Sequence, residues 1–314
     1  MPEPASDLVH RYKENYGLRE DSPLTEEMIH RHWDLERALT RRLLDSDPDE
    51  RRDVFAACYT ELYRELSWLN RFVVEKSEAE KRREFIAWAD AIGPDPVRIY
   101  EVGSGRGELL EHLADIGHDC TGSEITEERG EALLGRRGER IRWHAGDGVR
   151  LTLYEPEGAY DVVITNQLIE HLHPEDLEAH FAEVRAILKP DGRYLLSTPH
   201  RLTGPHDVSK IFRRPSAEGM HLKEYTYREL FGSLRRSGFR DVQHAGQRRR
   251  IRRMLGEERA GSKAERALLR ISTGILLLAE GILQIVPRPL RPTVARRMHR
   301  IGIFSENIFL VASR

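Results

Sequence analysis

The chain has 314 residues, of which 39% are hydrophobic and 32% charged, with a formal net charge of −2. This composition is typical of a soluble globular protein and excludes a disordered acidic chain or a Gly/Pro-rich fibre. Two cysteines, Cys58 and Cys120, are too few for a disulfide framework. Because no basic start followed by an apolar run opens the sequence, we expect a cytoplasmic protein.

Helical periodicity dominates the N-terminal part of the chain. Trp33, Leu35, Leu39 and Leu43 recur at spacings of about four, and the same period continues through residues 24 to 92. We predict about three helices here. At Gly93-Pro94-Asp95-Pro96 the pattern changes from helical to alternating.

Short apolar strands then alternate with helices. Strands are predicted at VRIYEV (97–102), CTGSEI (120–125), RIRWHA (140–145), YDVVITN (160–166), RYLLSTP (193–199), and near 239–245 and 303–314. Helices are predicted over 107–117, 125–135, 174–190 and 225–238. This alternation predicts an α/β fold: a doubly wound, mostly parallel seven-stranded sheet covered on both faces and ending in an antiparallel strand.

The pattern also predicts the domain organisation. About 55 residues separate the last two strands, which is long for such a connection and indicates an insertion. We expect a helical N-terminal extension over 1–93, a core over 94–247, a basic and apolar helical insertion over 248–300, and the final core strand in 301–314.

The strongest chemical motif is IYEVGSGRGELLEHL. Glu101 ends a strand, and Gly103, Gly105 and Gly107 fill the turn into a helix, where a ligand can approach the backbone and its free amides. A dinucleotide fingerprint, G-x-G-x-x-G, would need its third glycine at Glu108, so that alternative is disfavoured.

Acidic-x-Gly-x-Gly-x-Gly after a first strand resembles motif I of the class I S-adenosylmethionine-dependent methyltransferases. AEVRAILKPDGRYLLSTP also resembles that family's helix, turn and fifth strand, and the HLKEYT string resembles the type 11 and type 12 subfamilies, the ubiquinone-type O-methyltransferases among them. The likeness covers about 97–247 and implies a Rossmann-like fold that binds S-adenosylmethionine.

The resemblance also implies the cofactor-binding residues. Glu124 at the end of the second strand would accept hydrogen bonds from both ribose hydroxyls, and Asp147 would meet the adenine amino group. Asn166 and Gln167, at the end of the fourth strand, would line the methionine part. The complete predicted set is Glu101, Gly103, Ser104, Gly105, Gly107, Glu124, Ile125, Asp147, Gly148, Asn166 and Gln167.

Catalytic candidates follow the fourth and fifth strands. Glu170 and His171, in NQLIEHLHP, and His221 in the loop after the fifth strand are candidates to orient or deprotonate an acceptor hydroxyl. His200 and His206 in the same loop are weaker candidates. Related enzymes place Glu-x-x-Glu-His here and hold a divalent metal, but the first acidic position is Gln167, so no metal is expected.

Residues 248–300 carry a net charge of +10, whereas the first 247 residues carry −12. This segment also contains the apolar run ISTGILLLAEGILQIV, too short and too polar to predict a transmembrane span. A lid helix packed on the domain or on a second subunit is the favoured interpretation. Peripheral membrane contact through 264–300 is the alternative, and RNA binding ranks lowest because no aromatic stacking motif accompanies the charge.

These features together predict an S-adenosylmethionine-dependent methyltransferase acting on a hydroxyl of a small-molecule, sugar or lipid-linked acceptor. Oxygen is favoured because the predicted acceptor side is rich in His and Glu. The alternatives are a small-RNA or other nucleic-acid methyltransferase, a nicotinamide-dependent oxidoreductase, and a non-catalytic cofactor-binding module. The oligomeric state does not follow from the sequence.

Overall fold

The computed structural model describes residues 5–74, 76–127, 141–256, 262–287 and 290–314. Thr25 and Ser77 begin two of the N-terminal helices by accepting hydrogen bonds from the amides of Met28 and Glu80, and Glu80 completes a capping box. The four helices before the sheet are α1 (Ala5–Tyr16), α2 (Glu26–Leu44), α3 (Arg51–Glu65) and α4 (Glu78–Ile92).

Seven strands form one sheet in the order β3-β2-β1-β4-β5-β7-β6. They are β1 (Arg98–Val102), β2 (Asp119–Glu124), β3 (Ile141–Ala145), β4 (Tyr160–Asn166), β5 (Leu188–Pro199), β6 (Arg240–His244) and β7 (Asn307–Ser313). The first five are parallel, and β7 runs antiparallel to β5 and β6. Because β2 and β4 flank β1 on opposite sides, a crevice opens at the carboxyl ends of β1 and β4.

Helices cover both faces of the sheet. Tyr100 and Leu196 face one core cluster, and Ile99 and Leu195 face the other, as the two-residue period of a strand requires. The later helices are α5 (Glu108–Asp115), α6 (Leu177–Ile187), α7 (Tyr227–Arg236), α8 (Arg248–Leu255), α9 (Lys263–Ile285) and α10 (Arg291–Arg300). Short 3-10 helices lie at Leu69–Arg71, Leu151–Leu153, Ile169–His171, Pro174–Asp176 and Val208–Lys210.

The N-terminal helices pack near the carboxyl edge of the sheet. Leu39 and Leu43 of α2 and Phe55 of α3 share a core cluster with Met220, from the loop after β5. Thr40 donates a hydrogen bond from its hydroxyl to the carbonyl of Gly219. Helices α2 and α3 are thereby fixed against the loop that follows β5.

The predicted fold class is confirmed, with two differences in detail. Helix α1 was not predicted, because its buried Leu8 and Tyr12 form a narrow apolar stripe among charged residues. Strand β5 begins at Leu188, five residues before the predicted strand over 193–199, because Leu188 pairs with Tyr160 ahead of a register shift. Beyond residue 127, the helix predicted over 125–135 lies outside the described residues.

Candidate active site

A pocket of about 270 Å³ opens where β1, β2 and β4 end. The turn after β1, the end of β2 and the loops after β3 and β4 form one part of its lining, and helices α2 and α3 form another. The lining residues are Glu36, Phe55, Tyr59, Leu62, Tyr63, Gly103, Glu124, Ile125, Gly146, Asp147, Gly148, Gln167, Leu168, His171, Leu172 and Met220.

Glycine is required in the turn between β1 and α5. Gly103, Gly105 and Gly107 have φ angles of 69°, 56° and 68°, in the left-handed region that favours glycine. A Cβ atom on Gly103 would also lie 2.6 Å from Cδ1 of Leu168. At Gly103 the backbone of this turn therefore lines the pocket without a side chain. Gly107 is the residue at which α5 begins.

Glu124 ties the end of β2 to the glycine turn. Its Oε2 accepts a hydrogen bond from the Gly105 amide at 3.0 Å, and its Oε1 accepts one from the Ile125 amide at 2.9 Å. The Ser104 amide also donates to the carbonyl of Ser123 at 2.9 Å. The predicted residues of β1 and β2 are thus brought together, with the Glu124 carboxylate at the pocket wall.

Glu101 is buried behind this wall and does not line the pocket. Burial, reinforced by the charge of Glu124, holds its pKa well above the usual range. Its Oε2 has no hydrogen-bond partner among the described residues. A buried carboxyl oxygen without a partner beside a pocket is an acceptor suited to a polar group of a ligand.

Asp147 lines the pocket but also holds its own loop. Its Oδ1 accepts hydrogen bonds from the amides of Val149 and Arg150 at 3.0 and 2.9 Å, and its Oδ2 accepts one from Nε of Arg150 at 2.8 Å. Burial alone would raise its pKa, but these hydrogen bonds outweigh burial and lower it. Its predicted contact with an adenine amino group stays a prediction, since the carboxylate already has three donors.

The end of β4 places Gln167 in an uncommon backbone conformation. Its φ is 55°, its amide donates to the carbonyl of Ser197, and its Nε2 donates to Oγ of Ser197 at 3.0 Å. Asn166 pairs with Ser197 in the β4–β5 register and lies outside the pocket lining. Non-glycine residues in this region are strained and concentrate at functional sites.

The three catalytic candidates form one cluster, in which a ligand atom of Glu170, His171 and His221 lies within 4.8 Å of the others. Only His171 of the three lines the pocket. Its Nδ1 lies 2.9 Å from the carbonyl of Met220, which makes Nδ1 the protonated nitrogen in the neutral ring. His171 and His221 meet edge to face, with ring centroids 4.9 Å apart.

Electrostatics within the cluster favour different protonation states at its members. Burial raises the pKa of Glu170 to about 7, and its Oε2 accepts a hydrogen bond from Thr198. Burial alone would lower the pKa of His221, but its hydrogen bond to Glu224 and the nearby carboxylates outweigh burial and raise it. His221 thus favours the protonated form. The same three donors could hold part of the coordination shell of a divalent cation.

The other two candidate histidines lie elsewhere. His200 is fully buried, and its Nε2 lies 3.1 Å from Oε1 of Glu280 on α9. His206 hydrogen-bonds Thr203, and burial lowers its pKa. Neither lines the pocket.

Sequence reasoning missed the wall formed by α2 and α3. Glu36 accepts a hydrogen bond from the Met220 amide at 3.1 Å and lies 2.7 Å from Nε2 of His32, whose Nδ1 contacts the hydroxyl of Tyr12. The sequence did contain an indication, because the helical spacing places Glu36 on the same face of α2 as its buried residues. The aromatic and aliphatic members of this wall are Phe55, Tyr59, Leu62 and Tyr63.

Comparison with known proteins identifies the relatives of this chain. Residues 67–244, more than half of the chain, match the family model described as a methyltransferase domain. A probable S-adenosylmethionine-dependent methyltransferase from Mycolicibacterium smegmatis is 30% identical over 141 residues, which cover 45% of this chain and 51% of that protein. A ubiquinone biosynthesis O-methyltransferase from Burkholderia pseudomallei is 33% identical over 121 residues, covering 37% and 50%. The chain therefore spans about half the length of these curated relatives.

A solved structure shares the fold. The 1,6-didemethyltoxoflavin-N1-methyltransferase of Burkholderia thailandensis, determined with 1,6-didemethyltoxoflavin and S-adenosylhomocysteine, aligns with a TM-score of 0.51 at 19% identity, covering 86% of this chain and 91% of that one. At this identity the likeness concerns the fold. The family match and the shared fold show that the chain belongs to the class I S-adenosylmethionine-dependent methyltransferases.

Proposed function

We propose that the chain transfers the methyl group of S-adenosylmethionine to a hydroxyl group of a small, largely apolar acceptor. The observation that carries this proposal is that one pocket is lined both by Glu124 with the glycine turn and by His171 with the apolar wall of α3. A cofactor end and an acceptor end with a basic group between them are what methyl transfer to a hydroxyl requires.

The residues of the cofactor end fit S-adenosylmethionine. Gly103 leaves room for close approach, Glu124 presents a carboxylate for paired hydroxyls, and Glu101 has a buried oxygen without a described partner. We propose that these residues, with Ile125 and the 146–148 loop, hold the cofactor. When bound, S-adenosylmethionine supplies a methyl group made electrophilic by its sulfonium sulfur.

The acceptor end is mostly apolar. Phe55, Tyr59, Leu62 and Tyr63 line it, and Glu36 is the carboxylate among them. Such a wall favours a ring-shaped or lipid-linked acceptor over a sugar, because a sugar would leave its many hydroxyls without partners. The name of the ubiquinone-pathway relative agrees with an apolar acceptor that carries a hydroxyl.

His171 is the proposed general base. Its Nδ1 is held by the Met220 carbonyl, so the neutral ring presents its lone pair on Nε2, the nitrogen that would take the acceptor proton. His221, whose pKa is raised, is less suited to accept a proton and is proposed to position His171 through their ring contact. Glu170, which is fully buried, is proposed to complete the cluster beside the two histidines.

We also propose a cytoplasmic location. Cys58 and Cys120 are both buried and unpaired, which is the usual state of cysteines in a reducing compartment. Nucleic-acid acceptors are not favoured, since the described acceptor wall is apolar.

The cofactor assignment is tested by calorimetry with S-adenosylmethionine on the parent and on Glu124→Ala. We expect the affinity to fall roughly tenfold to a hundredfold, because the loss of a charge-assisted hydrogen bond costs about 1.5–3 kcal/mol. Glu127→Ala, which removes an exposed carboxylate three residues further along the chain, is the matched control and should bind as the parent does. Equal affinity in the parent and Glu124→Ala would reject the assignment of this pocket.

A further inference from the structure

Helix α9 exposes a continuous apolar stripe. Ile271, Ile275, Leu278, Ile282 and Ile285 are 58%, 56%, 65%, 49% and 84% exposed. Their alternating spacing of four and three residues places them on one face of the helix. Over the described residues, α9 is also long and apolar enough to cross a membrane by length and composition, with a mean hydropathy of 1.6.

The opposite face of α9 is anchored in the protein. Glu280 is fully buried, and its two carboxylate oxygens accept hydrogen bonds from the amides of Tyr227 and Arg228 at 2.8 Å. Glu265, also fully buried, contacts Arg248 and Arg252 of α8 at 3.1 and 2.9 Å. These contacts fix the rotation of α9, so the stripe is directed outward by the packing of the other face.

Arginines are numerous on α9 and on the two helices next to it in the chain. Exposed arginines lie on α8, at the start of α9 and on α10, and residues 248–300 together carry a charge of +10. Leu290 and Ile301, at the two ends of α10, add exposed apolar side chains. The exposed arginines with described side chains are Arg250, Arg253, Arg266, Arg270, Arg297 and Arg300, of which Arg270 pairs with Asp241.

Charge decides between the possible occupants of this surface. A symmetric dimer through α9 would bring two segments of charge +10 together, since both subunits use the same patch. A bilayer of anionic lipids neutralises that charge and accepts the apolar side chains. A spanning orientation is disfavoured, because it would expose the buried hydrogen-bonded face of Glu265 and Glu280 to lipid.

We propose that α8, α9 and α10 form a membrane-docking surface that lies in the plane of an anionic bilayer. The stripe of α9 enters the boundary of the acyl chains, and the arginines contact the lipid headgroups. This inference does not depend on the proposed methyl acceptor.

Vesicle sedimentation of the full chain tests the proposal. We compare vesicles of phosphatidylcholine alone with vesicles that also contain phosphatidylglycerol, using the parent and the double variant Ile275→Glu/Leu278→Glu. The parent should bind the anionic vesicles at least about tenfold more tightly than the neutral ones. The double variant should lose at least about tenfold in affinity for the anionic vesicles, since each Ile or Leu contributes substantially on burial.

Leu153→Glu is the matched control, because Leu153 is 66% exposed and lies outside this surface. Its vesicle binding should equal that of the parent, and circular dichroism should show all three proteins folded. Absence of binding to anionic vesicles, or equal loss in Leu153→Glu, overturns the proposal. A dimer in sedimentation equilibrium that dissociates in the double variant, without vesicle binding, would instead assign the stripe to a second copy of the chain.

Discussion

Several polar side chains of the pocket are held in place by a partner in the protein. Glu124 is fixed by two amides, Gln167 by Ser197, and His171 by a backbone carbonyl. Because these side chains are already ordered in the protein, they lose less conformational entropy when a ligand binds. Single substitutions should therefore remove one chemical function at a time.

The proposed base can be separated from cofactor binding. In His171→Asn we expect kcat to fall about 10²- to 10⁴-fold, the usual contribution of a general base. The affinity for S-adenosylmethionine should stay close to that of the parent, because the cofactor end does not depend on this imidazole. The release of S-adenosylhomocysteine with a phenolic acceptor, alongside calorimetry, measures both quantities.

His173→Asn is the control for that experiment. His173 lies in the same loop, and its Nε2 contacts the carbonyl of Leu44 instead of lining the pocket. The variant should keep most of the activity. Full activity in His171→Asn would contradict the role as a base, and loss of parent activity on treatment with a chelator would assign the Glu170–His171–His221 cluster to a metal.

At the residue scale, what could be predicted depended on local motifs. Gly103, Gly105 and Glu124 could be found because the turn and the strand end constrain them within a few positions. Tyr59 and Glu36 could not be placed, because they reach the pocket only through the packing of α2 and α3. Their role depends on contacts between segments more than 100 residues apart, such as Glu36 with Met220.

At the scale of elements, one carboxylate joins α9 to α7 and β5. Glu280 accepts hydrogen bonds from the first two amides of α7, and it contacts His200, the residue that follows β5. Amides in the first turn of a helix have no partner within that helix. A side chain from another helix here accepts hydrogen bonds from the first two of these amides, in addition to the local capping box that Thr226 forms with Glu229.

Glu280→Ala should destabilise the protein by roughly 3 kcal/mol, because it leaves two amides and an imidazole buried without their acceptor. The free energy of unfolding in urea measures the effect. Glu229→Ala is the matched control, since Glu229 forms the capping box of the same helix with Thr226 but is partly exposed. We expect about 1 kcal/mol for that change, and equal losses in both variants would contradict the bridging role of Glu280.

The elements themselves were largely predictable, and their docking was not. Alternation of strands and helices predicted the sheet, whereas the insertion over 248–300 gave three interpretations: a packed lid helix, which was favoured, peripheral membrane contact, and RNA binding. A helix with apolar residues all round has no marked face in the sequence. The structure shows that the face with Glu265, Leu276 and Glu280 packs inward. The proposed division at residues 93, 247 and 300 follows changes of pattern and stays a prediction.

At the scale of the whole molecule, two buried histidines couple stability to pH. Burial lowers the pKa of His180 and of His244 to about 4. Both must stay neutral in the folded protein, whereas in the unfolded chain they take up a proton near pH 6.5. Their contribution to the free energy of unfolding is therefore fully present above about pH 6.5 and decreases as the pH falls toward 4.

Burial raises the pKa values of Glu101 and Glu170, so these two acids change the stability with pH in the direction opposite to the histidines. The effect of one histidine is therefore isolated by comparing a variant with the parent. His180→Gln should destabilise the protein at pH 7. The difference from the parent should then shrink by up to about 1.4 kcal/mol per pH unit between about pH 6.5 and pH 4. Urea unfolding across this range measures it, with exposed His30→Gln as the control. A difference independent of pH would contradict the assignment.

The pocket combines two stretches of chain that lie far apart in sequence. The glycine turn, Glu124 and the 146–148 loop belong to the sheet, whereas Phe55, Tyr59, Leu62 and Tyr63 lie on α3, outside the alternating pattern. Substitutions at those four positions should alter the proposed acceptor end of the pocket while the proposed cofactor end keeps its shape. Under the proposed function, the choice of acceptor is thus open to change, by evolution or by engineering, through the single helix α3.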